Sequence, residues 1–153
     1  LSSSFLPDEM TEQLRTYCRQ RTNCLNLAAE SSMKMQKYLK FLNFRLDVVV
    51  KDVCGQTGLS IIGDICNGNL DPQKLAEHRH YNCKKSKEEI AKALKGNNRQ
   101  DYLFGLKQEY ESYLFFQSKI ADCDRQIEEF MKTEIVADPV KKNYKPQTKS
   151  LRG

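Results

Sequence analysis

The sequence predicts an all-α fold, a long two-helix coiled-coil hairpin with a small helical knob between the long helices. Three observations carry this. Residues 14–46 and 102–130 each place apolar side chains at alternating steps of four and three, the signature of a coiled-coil seam. Strand-like runs are nearly absent, Val48-Val49-Val50 being the sole β-branched triplet. Apart from Gly105, the glycines and prolines fall outside the two heptad-patterned stretches.

The first helix is expected over about residues 8–46. Leu6-Pro7-Asp8-Glu9 supplies a proline at the entry, acids near the N-terminus and Asp8 as a cap. Its seam reads Leu14, Cys18, Arg21, Leu25, Ala28, Ser32, Met35, Leu39, Leu42 and Leu46, with Arg21 and Ser32 the two polar interruptions. At about 1.5 Å per residue the helix would be about 58 Å long. Residues 47–98 break into short pieces punctuated by Gly55, Gly58, Gly63 and Gly68. Asp71-Pro72 reads as a cap followed by proline at the first helical position. Ser86-Lys87-Glu88-Glu89 is a capping box whose helix Gly96 ends. The last helix, about 99–132 and roughly 50 Å long, has its seam at Tyr102, Leu106, Glu109, Tyr113, Phe116, Ile120, Cys123, Ile127 and Phe130. Gly105 lies inside it and should weaken the helix by about 1 kcal/mol relative to alanine. Residues 1–137 thus form a helical coiled-coil domain and 138–153 a basic extended linker. Antiparallel pairing within one chain and pairing of the same seams between chains both satisfy the pattern.

A chain of 153 residues is one domain on length alone. The start at Leu1 and the stop at Gly153 suggest a piece cut from a longer polypeptide, with a processed or tagged small protein as the alternative. No basic-then-apolar leader is present, and no apolar run approaches a bilayer span, so no membrane partner is expected. The six cysteines, Cys18, Cys24, Cys54, Cys66, Cys83 and Cys123, include helix-seam positions where free Cys acts as a small hydrophobe. Free thiols and a reducing, cytoplasmic setting follow.

The net charge is +5, of which residues 136–153 hold +4. From Gln13 to Leu46 there are seven basic residues against Glu30 alone. Arg15, Arg19, Lys34, Lys37, Lys40 and Arg45 fall within about 140° of helical arc, at about 100° per residue, roughly opposite the seam. A basic stripe on a rigid rod suits a phosphate backbone; the plainer reading is a solvated coiled-coil face. Phe41 and Phe44 lie near the same arc, as stacking platforms or, preferably, as contacts to the knob. In the tail, Lys141, Lys142, Lys145 and Lys149 form a second basic element, able to follow phosphates or simply to keep a linker soluble.

Other chemistry is thinly represented. His78, His80 and Cys83 are the only metal-like group, but their spacing matches no zinc pattern, and a surface connection is preferred to a small metal-dependent enzyme. Asp122/Asp124 and Glu128/Glu129 are interleaved with seam residues and read as exposed helix acids. No phosphate loop or nucleophile elbow occurs, and no catalytic residue is assigned. Asp52 to Ile62 is loosely similar to a helix-hairpin-helix, although its glycines are three apart; a plain corner between helices is preferred.

Several runs taken together resemble the middle region of the insertion sequence 110 family of transposases: Tyr17-Cys18-Arg19-Gln20-Arg21, Met35-Gln36-Lys37, Leu42-Asn43 and Asp52-Val53-Cys54-Gly55-Gln56-Thr57-Gly58. Asn69-Leu70-Asp71-Pro72, Glu89-Ile90-Ala91-Lys92-Ala93-Leu94-Lys95-Gly96-Asn97 and Asp122-Cys123-Asp124-Arg125-Gln126-Ile127-Glu128 continue the resemblance. It implies a coiled-coil segment between a RuvC-like acidic domain and a domain with a catalytic serine, in an RNA-guided recombinase. The magnesium implied for such a parent protein would be held by carboxylates outside this chain, so no cofactor is expected in the segment itself. Homo-oligomerisation through the helices, and contact with DNA and possibly a structured guide RNA, are what the resemblance implies for this stretch. A stand-alone helical protein-interaction module is the alternative.

Overall fold

A computed structural model describes residues 7–135. The fold is all-α, and no strand occurs among the described residues. The elements are α1 (Asp8–Phe41), α2 (Leu46–Val49), α3 (Gln56–Cys66), α4 (Pro72–Leu75), α5 (Lys87–Ala93) and α6 (Gln100–Phe130). A 3-10 turn, Ala76–His78, follows α4, and a widened π turn, Met131–Ile135, follows α6. The chain groups into two compact units, one of Leu1–Ala28 with Leu114–Gly153, the other of Ala29–Tyr113. The linker expected over 138–153 lies outside the described residues.

In the first unit α1 and α6 pair antiparallel within one chain. Met10, Leu14, Ile127 and Phe130 form its apolar cluster, flanked by Tyr17, Cys18 and Met131. Tyr17 meets Phe130 edge-on, ring centroids 6.0 Å apart. One heptad deeper sits Arg21, which the sequence marks only as a polar interruption. It is 6 % exposed, and its Nε donates to Asp124 Oδ1 at 2.6 Å, while the Asp124 side chain remains 54 % exposed. A buried cation in a seam costs desolvation and in exchange fixes register. Its Nη1 is buried without a hydrogen-bond partner, so the site is satisfied on one side alone.

The second unit holds the larger core. Met35 and Leu39 of α1, Leu42 just past its end and Leu106 of α6 close over Ile61, Ile62 and Ile65 of α3, Leu75 after the Asp71 cap, and Ile90 and Leu94 at α5. Both sequence-read caps are present: Asp71 accepts from the Gln73 amide at 3.0 Å and Ser86 from the Glu89 amide at 3.2 Å.

The first helix is shorter than the seam implies. It ends at Phe41 instead of Leu46, because Asn43 takes a left-handed backbone, φ 68°, a conformation that asparagine tolerates better than most residues. The Phe44 amide then bonds the Leu39 carbonyl and the Arg45 amide the Ala93 carbonyl, turning the chain onto α5. Leu42 and Leu46 still reach the core, so the heptad spacing survives past the helix that generates it. Asn97 fastens this corner. Its amide donates to Leu42 O and its Nδ2 to Phe41 O, both at 2.9 Å, while its Oδ1 accepts from the Arg99 amide at 3.1 Å, just before α6 begins.

Gly58 and Gly105 show how space fixes a glycine. At Gly58, buried in α3, a Cβ would lie 2.0 Å from the Val53 carbonyl oxygen, a backbone atom of the tight corner set by Asp52, whose Oδ1 accepts from the Cys54 amide. At Gly105 a Cβ would stand 2.4 Å from the Tyr38 ring, so glycine here trades helix propensity for close approach of α1 to α6.

Gly58→Ala should lower unfolding free energy by about 2 kcal/mol or more, as overpacking against backbone does, read by denaturant titration. Asp124→Ala should cost about 1–2 kcal/mol by stranding a buried guanidinium, discounted because the carboxylate is half in water. Arg21→Leu should be neutral or stabilising in the same titration, and Arg21→Leu/Asp124→Ala should recover the loss.

Candidate nucleic-acid interface

All six basic residues of the expected stripe are exposed, but they do not form one uninterrupted cationic face. In the first unit Arg15 lies 3.8 Å from Glu12, an acid just upstream of the acid-poor stretch; Arg19 makes no ion pair among the described residues. In the second unit Lys34 pairs with Glu30 at 3.3 Å. Arg45 is not on α1: it precedes α2 and meets the Asp47 carboxylate through Nε and Nη2 at 3.3 and 3.4 Å. The hydrogen bond from Arg45 holds the Asp47 carboxyl below the usual carboxylate range, Lys40 contributing a smaller pull. Lys37 and Lys40, one helical turn apart, make no ion pair among the described residues. Lys141, Lys142, Lys145 and Lys149 lie outside the described residues.

The two phenylalanines separate. Phe44 goes to the knob, 2 % exposed with its ring against Gly96. Phe41 stays at the surface, 5.2 Å from Tyr102 of α6 and 6.5 Å from Tyr38. Lys37 Nζ lies 5.6 Å from the Phe41 ring centre, and the Arg99 guanidinium 4.4 Å from that of Tyr102, both within cation–π range. Two rings and two cations thus share one surface at the end of α1 and the start of α6. The sequence signal for Tyr102 is its seam position, which points inward; that Phe41 would meet it depends on helix pairing and is not readable from spacing within either helix.

Beside this surface runs an open groove of 720 Å³, lined by Met33, Lys37, Lys40, Phe44, Leu46, Val53 and the Arg45–Asp47 pair. Met33 is 71 % exposed on its edge.

The remaining sequence candidates are engaged elsewhere. His78 contacts Asp64 through Nε2, and His80 stacks on Tyr81; among the described residues no three His, Cys, Asp or Glu side chains converge as a metal set. Asp122 pairs with Arg125, Asp124 with Arg21, and Glu128 with Lys132. The helix-hairpin-helix reading of Asp52 to Ile62 gives way to a corner, since only the one-turn α2 precedes α3. All six cysteines are free thiols. Cys66 in α3 is pushed up to about 11, chiefly by burial, with the Glu111 carboxylate adding and Lys107 opposing. No described helix is long and apolar enough to cross a membrane.

No family model, curated protein or solved structure matches this chain.

The Cys66 environment gives a pH prediction. A thiol held protonated by folding lends stability that is complete below its unfolded value near 9 and is lost as pH rises through about 11. Native alkylation of Cys66, followed by peptide mass mapping, should stay slow to about pH 11, and Cys66→Ala should flatten the alkaline loss of stability.

Proposed function

We propose that this chain is the non-catalytic helical segment of a DNA transposase, supporting oligomerisation and holding nucleic acid during transposition. The reading rests on the ordered resemblance of its sequence runs to the insertion sequence 110 family. One structural observation supports it most: Lys37 and Lys40 stand exposed and make no ion pair among the described residues, next to the Phe41–Tyr102 ring pair and Arg99. Cations neutralise phosphates and release counterions, and aromatic faces add stacking that is indifferent to sequence. Arg19 in the first unit has the same open character, and the tail lysines would extend the basic contact. Arg15, Lys34 and Arg45 contribute less, because Glu12, Glu30 and Asp47 already compensate them. Catalysis, with the magnesium it needs, belongs in this reading to other parts of the parent protein.

A second reading is a helical protein-interaction module with no nucleic-acid role. The groove edged by Met33 supports it, since its apolar floor could accept the ridge of a partner helix. Mass measured against concentration, together with the absence of any electrophoretic shift, would favour this reading.

In gel shifts with duplex DNA and structured RNA over a salt series, affinity should fall steeply with salt. Lys37→Glu/Lys40→Glu should weaken binding at least about tenfold, by removing two phosphate contacts and adding repulsion. Affinity indifferent to both salt and these substitutions would overturn the proposal.

A further inference from the structure

The loop between the 3-10 turn and α5 carries a feature that folding does not use. Tyr81 is 85 % exposed, the most exposed large side chain among those described as apolar or aromatic at the surface. Its ring lies against the His80 imidazole, centroids 4.4 Å apart and planes 30° apart. The pair is held in place from below. His80 O accepts from the Cys83 amide at 2.9 Å, and His80 Nδ1 accepts from the Asn82 amide at 3.1 Å. That acceptance places the neutral ring's proton on Nε2, leaving a donor at the outer edge. Arg79 closes the loop by donating from Nη1 to Lys85 O at 2.6 Å, and Cys83 packs on the core. The loop backbone and the His80 ring that carry the aromatic tip are therefore held by hydrogen bonds.

The loop segment itself carries one sign of charge. From Arg79 to Lys85 there are three basic residues and no acid. Lys84 and Lys85 are exposed and make no ion pair among the described residues. Of the flanking acids, Glu77 is turned to Lys87 at 3.8 Å, and Glu88 and Glu89 belong to the first turn of α5 without pairing to Lys84 or Lys85. An exposed ring stack with uncompensated lysines three and four residues away suits a base on the ring face with phosphates beside it. A duplex offers no free base face, and an acidic peptide would engage the lysines without the stacked rings.

We propose that the His80–Tyr81 platform, with Lys84 and Lys85, binds an unpaired nucleotide of a single strand. This inference rests on the nucleic-acid reading above but names a separate site on the same unit. It distinguishes roles: the Lys37/Lys40 surface takes phosphates of any strand, whereas the loop selects an unstacked base.

The test is fluorescence anisotropy of the whole chain with labelled oligo(dT), oligo(U) and a duplex, over a salt series. Tyr81→Ala should weaken binding of both single strands about tenfold and leave the duplex unchanged, while Tyr81→Phe should retain wild-type affinity. Lys84→Ala/Lys85→Ala should lower the slope of log affinity against log salt by roughly 0.7 per lysine on single strands. Quenching of tyrosine fluorescence by the oligonucleotides should disappear in part with Tyr81→Ala. Folding of each variant is checked by circular dichroism, which substitution at such exposed positions should not alter. Single-strand affinity unchanged by Tyr81→Ala but lost with Lys37→Glu/Lys40→Glu overturns the loop site and leaves the broader reading standing. Loss with Tyr81→Ala but not with Lys37→Glu/Lys40→Glu supports the loop and overturns the role of the α1 lysines. No binding of any strand overturns both.

Discussion

Three hydrogen bonds at Asn97, two donated and one accepted, organise the larger unit. A helix ends with carbonyls that have no partner within it, and a buried end must find donors elsewhere. Asn97 provides two of them where α1 ends, from its side chain to the Phe41 carbonyl and from its amide to that of Leu42, the next residue. Its remaining oxygen orders the Arg99 amide at the entry to α6. One short polar side chain therefore joins the last turn of one long helix to the first turn of the other, although 56 residues separate the bonded positions. The left-handed turn at Asn43, the placement of Phe44 against Gly96 and the Arg45–Ala93 bond all depend on that corner being closed. So does the exposed surface of Lys37, Phe41, Tyr102 and Arg99, whose two halves come from the two helices that Asn97 joins.

The two units differ in how they reconcile polarity with packing. In the larger one, aliphatic side chains from several short helices meet a seam that is itself apolar, and the polar demands are met at caps and corners. In the smaller one, two helices alone supply the core, and a cation lies inside the seam. An ion pair with one half-exposed partner contributes little net stability, but it penalises every register in which Arg21 lacks a carboxylate. A two-helix apolar seam has few other means of fixing its alignment.

Much of this was legible in the residues. The four-three spacing located both seams, and every seam position is buried or half-buried. Asp71-Pro72 and Ser86 to Glu89 marked helix starts because caps are local chemistry, written within four residues. What the sequence did not disclose was set by contacts between distant segments. Spacing carried the first helix through Leu46, since Leu42 and Leu46 keep the period; only the corner held by Asn97 shows why the helix stops at Phe41. Arg21 read as an interruption because its partner lies 103 positions away. For the candidate interface, composition gave the basic residues but not their pairing. Glu12 and Asp47 sit just outside the acid-poor window, and each neutralises a residue that window singled out. The aromatic tip at Tyr81 has no signal in spacing or periodicity, because its exposure and its stacking on His80 follow from the fold of the loop.

Gly105 has a bearing on the order in which the chain folds. A glycine within the first turns of α6 makes that end of the helix prone to fray in isolation, since nucleation is costly and glycine propagates poorly. The Tyr38 ring occupies the space its missing side chain leaves, covering the weak turn only after α1 has arrived. Growth of the first turns of α6 and docking of Tyr38 from α1 therefore favour one another, each supplying what the other lacks.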